Sequence, residues 1–458
     1  MTICERLAAY CVRGSWEAVS PEARGKLKQH LLDTIGCALG AVTCGPIAAI
    51  RDEQRAIGGS GPCSLIGGGA TTPERAAFYN GALVRCLDFT DTFLAIGETA
   101  HPADNVAGLL AAAELAGANG REFLAALAIA YHVQCALTSS GASIMRKGFD
   151  HTIQLSISLA VGMSHILKLT EQQTAHAIAL CAAGGLGVGA TRTGERLSNW
   201  KGLASAGIAF NCIHNVRLAQ QGITGPLNVF EGPLGLEELV GKQLSLDWDR
   251  ESYDGVLACS LKRYNADFHA QSAIEGMLEM REAHQLQAPD VARIQVDIFK
   301  AGYDHPTAVA AREDASHSLQ YLLAVALLDG EVGPDQFDES RIAAADVQSL
   351  LGKVVAWLNV GYTRAYPQSL KCRIRIEVAD GRILEIEKES FEGFFRQPMP
   401  VGAVIEKFRR LAMRSTADAA LQNIIRAVAK IEEQPVSELM ASLQNLGAED
   451  RTNVAASE

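Results

Sequence analysis

Two neighbouring stretches, Leu87-Asp88-Phe89-Thr90-Asp91-Thr92 and His101-Pro102-Ala103-Asp104-Asn105, put three carboxylates, two hydroxyls and an imidazole into one short interval. The flanking sequence is mostly Ala, Leu and Gly. Ionisable groups set between apolar helical segments are costly to bury unless they are paired or used. The chemistry such a set could do is proton transfer: an imidazole titrates near neutral pH, and a carboxylate beside it can orient it or share the work. A solvated loop is the alternative for this stretch taken alone. Three further segments carry groups of the same kind: Phe149-Asp150-His151-Thr152, Ser198-Asn199-Trp200-Lys201-Gly202, and the run from Leu261 to Ser272 with Lys262, Arg263, Asp267, His269 and Gln271. Lysines in such places act as point charges for an anionic substrate.

These groups must be held by helices for most of the chain. Ser20-Pro21 is a cap followed by proline in the first turn, and Leu27, Leu31, Ile35 and Leu39 then recur on one face. Helices are also expected over Asn105–Leu115 (ending at Gly117 or Gly120), Phe123–Leu137, Ala175–Ala183 behind a Thr170–Gln173 capping box, and Lys201–Gln221. Nothing before Leu261 alternates for long enough to predict a sheet.

After Lys262 the period changes. Ile294, Val296 and Ile298 alternate with polar residues, as do Cys372, Ile374, Ile376 and Val378; Asp380-Gly381 then makes a turn into Leu384 and Ile386, a hairpin pattern. Leu319–Leu328 and Ala343–Leu351 read as helices between the strands. From Pro400 the helical period returns through Val404, Phe408, Leu411, Leu421, Ile424, Ile425 and Val428. The expected architecture is mainly α with an α+β part: residues 1–261 as the first part of a helical domain, 262–399 as an inserted α+β lid, 400–447 as helices returning to the first domain, and 448–458 as a frayed polar tail. A cleft between two such domains is a common ligand site.

The bulk numbers narrow the function classes. At 458 residues two domains are the natural prior. Hydrophobic content of 48% with 20% charge describes a folded chain, and aromatic content of 6% favours close-packed helices over aromatic-rich strands. A net charge of −11 with no Lys/Arg-rich run speaks against nucleic acid. No basic-then-apolar leader and no long apolar span are read, so a soluble cytoplasmic protein without a membrane partner is expected. The 11 cysteines include no Cys-x-x-Cys pair and fit small buried thiols in a reducing compartment.

Gly185-Leu186-Gly187-Val188-Gly189 resembles part of a dinucleotide fingerprint, but a helical pattern precedes it instead of a strand. Its glycines are better read as permitting close approach of backbone to a neighbouring helix or a ligand. The glycine-rich stretch from Gly58 to Gly69 lacks the Gly-Lys-Ser/Thr ending of a phosphate loop. There is no His-x-x-x-His and no cysteine spacing of the zinc or iron–sulfur kind.

Taken together, Leu-Asp-Phe-x-Asp-Thr with a following His-Pro, Asn199-Trp200-Lys201-Gly202, the Lys262 to Ser272 run, and Ala315-Ser316-His317-Ser318-Leu319-Gln320-Tyr321 with Ala324–Gly330 resemble the MmgE/PrpD family over nearly the whole chain. That family includes 2-methylcitrate dehydratase, cis-aconitate decarboxylase and iminodisuccinate epimerase. The resemblance implies a helical domain formed by both chain ends, a smaller α+β lid, a metal-free and cofactor-free site in the cleft, and a homodimer. It implies site positions at Asp88, Thr92, His101, His151, Lys201, Lys262 and Tyr321. Thr90 stands where the family often has Asp, Asn265 where Pro is common, and the Thr92–His101 spacing is longer than in cis-aconitate decarboxylase. The piece Ala266–Gln271 is closer to the methylcitrate dehydratases.

On this resemblance the expected activity is metal-independent dehydration of a small di- or tricarboxylic acid. Decarboxylation, epimerisation and a non-catalytic anion-binding scaffold are the alternatives. Dehydration needs a base for the proton next to a carboxylate, an acid for the departing hydroxyl and stabilisation of an enolate-like intermediate. His101 is the candidate acid–base, with Asp88 as its orienting partner or as a base itself. Lys201 and Lys262, with Arg263 in reserve, neutralise carboxylates. Thr92 and Tyr321 bond substrate oxygens, His151 binds a carboxylate or caps its helix, and His269 lines the pocket.

Overall fold

The computed structural model describes residues 1–140, 144–192, 198–244, 246, 248, 252–303, 309 and 311–447. Among them, helices of nine residues or more are α1 (Ile3–Arg13), α2 (Pro21–Gly40), α3 (Gly45–Ile57), α4 (Pro73–Cys86), α5 (Asn105–Ala116), α6 (Gly120–Ser139), α7 (Thr152–Ile166), α8 (Glu171–Gly184), α9 (Trp200–Gln220), α10 (Gln271–His284), α11 (Leu319–Asp329), α12 (Val401–Ala412), α13 (Asp418–Ala429) and α14 (Val436–Gln444). The strands are β1 (Cys63–Ser64), β2 (Ala70–Thr71), β3 (Phe93–Ala95), β4 (Glu98–Ala100), β5 (Val291–Ile298), β6 (Val354–Leu358), β7 (Cys372–Val378) and β8 (Ile383–Lys388). The chain divides into two compact units, one of Met1–Gly194, Ser198–Cys259 and Pro400–Glu458, the other of Ser260–Met399. The polar tail from 448 lies outside the described residues.

The helical unit starts its helices with the local chemistry the sequence offers. The Ser20 hydroxyl accepts from the Ala23 N–H ahead of Pro21, and Thr170 with Gln173 forms a full capping box on α8. α5 stops at Gly117, which takes a left-handed conformation. The interior is built by close approach: a Cβ at Gly108 would lie 2.7 Å from the Met163 Cε and 2.9 Å from a Leu159 methyl, so side chains of α7 fill the space against the bare α5 backbone. Small residues therefore do here what large aromatics do elsewhere, and α4, α5, α7 and α9 pack on one another. The returning helix α12 packs on α2. Two small antiparallel hairpins, β1–β2 and β3–β4, interrupt the helices. Strands of two and three residues are too short to show as an alternation, which is why no sheet was expected there.

The second unit holds a four-stranded sheet in the order β6-β5-β7-β8, with β5 and β6 parallel and the other pairs antiparallel. Ile294 faces Ile376, and Val296 faces Ile374, so the expected alternation becomes one buried face, packed against α10. The β7–β8 hairpin turns through Asp380-Gly381, with Gly381 at φ +87°. β6, Val354-Val355-Ala356-Trp357-Leu358, has no alternation and pairs with a sequence-distant parallel partner, so pattern alone missed it. Among the described residues no single helix is long and apolar enough to cross a membrane.

Candidate active site

Four helix ends bring the candidate residues of the helical unit together. α4 ends at Cys86 just before Asp88; His101 begins the short turn that leads into α5; His151 precedes α7; and Lys201 is the second residue of α9. Three helix N-termini thus border the group, and their partial positive charge favours anions.

His101 is 8% exposed. Its Nδ1 lies 2.8 Å from the Asp91 carbonyl oxygen and 3.4 Å from Thr92 Oγ1. A carbonyl can only accept, so this contact assigns the proton of a neutral His101 to Nδ1 and makes Nε2 the unprotonated nitrogen. The rings of His101 and His151 meet edge to face, centroids 5.5 Å apart. His151 is buried, with Nδ1 3.2 Å from Asp150 Oδ1, and its Nε2 has no hydrogen-bond partner among the described residues. Burial first, then the Arg192 guanidinium, push its pKa down to about 3 against the opposing pull of Asp150. His151 is therefore a neutral imidazole that donates through Nδ1 and presents an acceptor at Nε2. The cap on α7 expected of His151 is supplied instead by Asp150, whose Oδ1 accepts the Thr152 N–H at 2.9 Å.

Asp88 takes φ +50°, a left-handed conformation that Asp tolerates better than most residues. Its carboxylate is held by Arg85 at 2.7 Å and Lys201 at 3.6 Å. His101 Nδ1 is held by the Asp91 backbone, while the Asp88 carboxylate faces these two cations. Arg85 is buried and also faces Asp104, at 3.6 Å, whose other oxygen accepts from Ser205 Oγ at 2.6 Å. Arg192 pairs with Asp150 at 2.9 Å and donates to the Lys201 carbonyl. Arg85, Arg192 and Lys201 thus form a mostly buried cationic wall beside the two histidines.

Sequence reading passed over Arg85 and Arg192, and it marked the segments holding Asp91, Asp104 and Asp150 without giving those residues a role. A three-residue spacing links Arg85 to Asp88, and Asp150 adjoins His151, so those two carried a local signal. Arg192 follows the Gly185–Gly189 stretch, whose purpose the structure explains: the Asp150 N–H donates to the Gly187 carbonyl at 2.9 Å, and a Cβ on Gly187 would lie 2.5 Å from Thr152 Oγ1. His30 in α2, which meets Asp91 Oδ2 at 2.8 Å, gave no signal at all.

The remaining candidates lie in the α+β unit. Lys262 is buried and Arg263 pairs with Glu392 at 2.8 Å. Gln271 folds the segment by accepting from the Arg263 and Tyr264 N–H groups. His269 sits between Asp267, 3.0 Å from Nδ1, and the Tyr366 hydroxyl, 3.2 Å from Nε2. Tyr321 is fully buried in this unit and its hydroxyl donates to the Gln336 carbonyl. Among the described residues no three His, Cys, Asp or Glu side chains are grouped to hold a metal ion.

Residues 5–249 match the family model described as MmgE/PrpD N-terminal domain, and residues 264–433 match the MmgE/PrpD C-terminal domain. The chain belongs to the MmgE/PrpD family. It is 26% identical over 461 residues to 2-methylcitrate dehydratase of Cupriavidus necator and 24% identical over 462 residues to that of Escherichia coli K12, covering 93% of this chain and 94% of each relative. It is 26% identical over 438 residues to human cis-aconitate decarboxylase, covering 89% of this chain and 87% of the relative. Relatives with these names are lyases, and they support an enzyme of the lyase class here.

Proposed function

We propose that this chain dehydrates a small tricarboxylic acid of the 2-methylcitrate type, with His101 as the group that moves the proton. The observation that carries the reading is the pairing of His101, held through Nδ1 by a carbonyl, with a neutral His151 whose Nε2 is an acceptor without a hydrogen-bond partner among the described residues. In this mechanism His101 Nε2 takes the proton from the carbon next to a carboxylate. The enolate-like charge is met by Lys201 and Arg85 and by the bordering helix N-termini. The substrate hydroxyl donates to His151 Nε2, which orients it. The C–O bond then breaks, and the leaving hydroxide takes the proton back from the His101 imidazolium, so the products are an olefin and water. Thr92 donates its hydroxyl hydrogen to a substrate oxygen. A homodimer belongs to the same reading and is checked by sedimentation.

Decarboxylation of cis-aconitate is the second reading, favoured by the similarity to the human enzyme. Carbon dioxide would leave and the His101 imidazolium would protonate the resulting carbanion. A proton NMR time course in D₂O with EDTA separates the two. Olefinic signal from 2-methylcitrate supports the dehydratase; itaconate from cis-aconitate, with no olefin from 2-methylcitrate, overturns it in favour of the decarboxylase. Silence in both tubes removes both substrates.

A further inference from the structure

Asp91 is bonded on three sides, and each bond bears on His101. Its carbonyl holds His101 Nδ1 at 2.8 Å. Its Oδ1 accepts the Ala103 N–H, two residues beyond His101, at 2.9 Å. Its Oδ2 meets His30 Nδ1 at 2.8 Å. Asp91 is 1% exposed and His30 is fully buried in α2. The segment from Asp91 to Ala103 is a loop carrying the short β3–β4 hairpin, and a loop of that length has no rigidity of its own. The Asp91 carboxylate ties the far end of this loop to its near end, and His30 ties both to α2.

We infer that Asp91, clamped by His30, is a positioning residue for the proposed reaction: it fixes the ring plane and the Nδ1-protonated tautomer of His101, although its side chain acts only through the backbone. The inference rests on the proposed role of His101. The reason is geometric: the Asp91 carbonyl can aim at Nδ1 only while the carboxylate holds its own residue against Ala103. Misplacing a reacting group by about 1 Å can cost about 100-fold in rate.

The test compares Asp91→Asn with Asp91→Ala in the full-length protein. The amide oxygen of the asparagine variant can still accept from the Ala103 N–H, whereas an alanine side chain cannot. On 2-methylcitrate, Asp91→Ala is expected to lower kcat about 10- to 100-fold with KM nearly unchanged, and Asp91→Asn to restore part of the loss. The second readout needs no substrate. In protein labelled with ¹⁵N-histidine, with His101→Gln giving the assignment, the wild-type His101 spectrum at high pH should show protonated Nδ1, and Asp91→Ala should show a mixture of tautomers. A folded Asp91→Ala protein with an unchanged His101 spectrum overturns the inference, whatever the substrate. Absence of turnover on 2-methylcitrate with the tautomer shift present sinks the proposed reaction and leaves the positioning role standing. Should Asp91→Ala not fold, the same spectrum is read on Asp91→Leu, which fills the space but offers no acceptor to the Ala103 N–H: a mixture of tautomers supports the inference and an unchanged spectrum overturns it.

Discussion

Lys201 and His151 show how much of the candidate site is set by single groups. Lys201 is 13% exposed at its side chain and lies within 3.6 Å of Asp88, so a substrate carboxylate reaching it must compete with Asp88. Lys201→Met is expected to raise KM about tenfold or more, since hydrogen bonds to charged groups contribute about 1.5–3 kcal/mol, with the fold intact by circular dichroism. His151 gives a prediction in pH. Its folded-state pKa, about 3, lies below the roughly 6.5 of a free imidazole. Between those values the unfolded chain binds a proton that the folded chain refuses, so this residue's contribution to stability is full above the upper value and falls as pH falls towards the lower one. Asp150, held down against burial by the Arg192 guanidinium and the Thr152 N–H, acts in the same direction. The buried carboxyls of Asp33, Asp104 and Glu98, raised by burial, act in the opposite one. Chemical denaturation across that interval should give a shallower loss of stability in His151→Gln than in wild type. An identical slope would mean that His151 is charged in the folded protein.

At the level of elements, the fit of the C-terminal segment on α6 depends on one residue. A Cβ on Gly120 would lie 1.6 Å from the Ile431 carbonyl oxygen, and the Gly120 N–H donates to the Gln434 carbonyl at 2.9 Å. Backbone cannot yield as a side-chain tip can, so Gly120→Ala should cost on the order of 3 kcal/mol, read as a lower urea midpoint. The periodic helices and the β7–β8 hairpin were legible because capping residues and alternation are local signals: Ser20-Pro21, Thr170–Gln173 and Asp380-Gly381 all sit where the elements start or turn. β6 and the clamp from His30 to Asp91 were not, because parallel pairing and a contact across 61 residues leave no trace in a local pattern. The same limit hid Arg192, whose partner Asp150 lies 42 residues away, while His101 and Lys201 stood out by their apolar flanks.

On the scale of the whole molecule, the helical unit is closed by chain from both ends. Lys407 of α12 pairs with the fully buried Asp33 of α2 at 2.7 Å and donates to the Phe89 carbonyl at 2.8 Å, with its ammonium 3.9 Å from the Phe89 ring centroid. The segment that begins at Pro400 therefore anchors the stretch that carries Asp88 and Asp91. Removing one partner of a buried ion pair costs about 3–5 kcal/mol, and a chain ended after Met399 would also expose the apolar faces of α2 and α6. Such a truncation is expected to be insoluble or molten, seen as loss of cooperative thermal unfolding. A cooperative, soluble product would show that residues 1–399 fold without it.

The central claim is that His101 moves the proton, and the most direct measurement is kcat/KM for olefin formation from 2-methylcitrate by His101→Asn beside wild type, with matched thermal unfolding. The account predicts a loss of about 100- to 10,000-fold, the range for a general acid–base group, with unfolding unchanged. Wild-type turnover by a folded His101→Asn protein would contradict it.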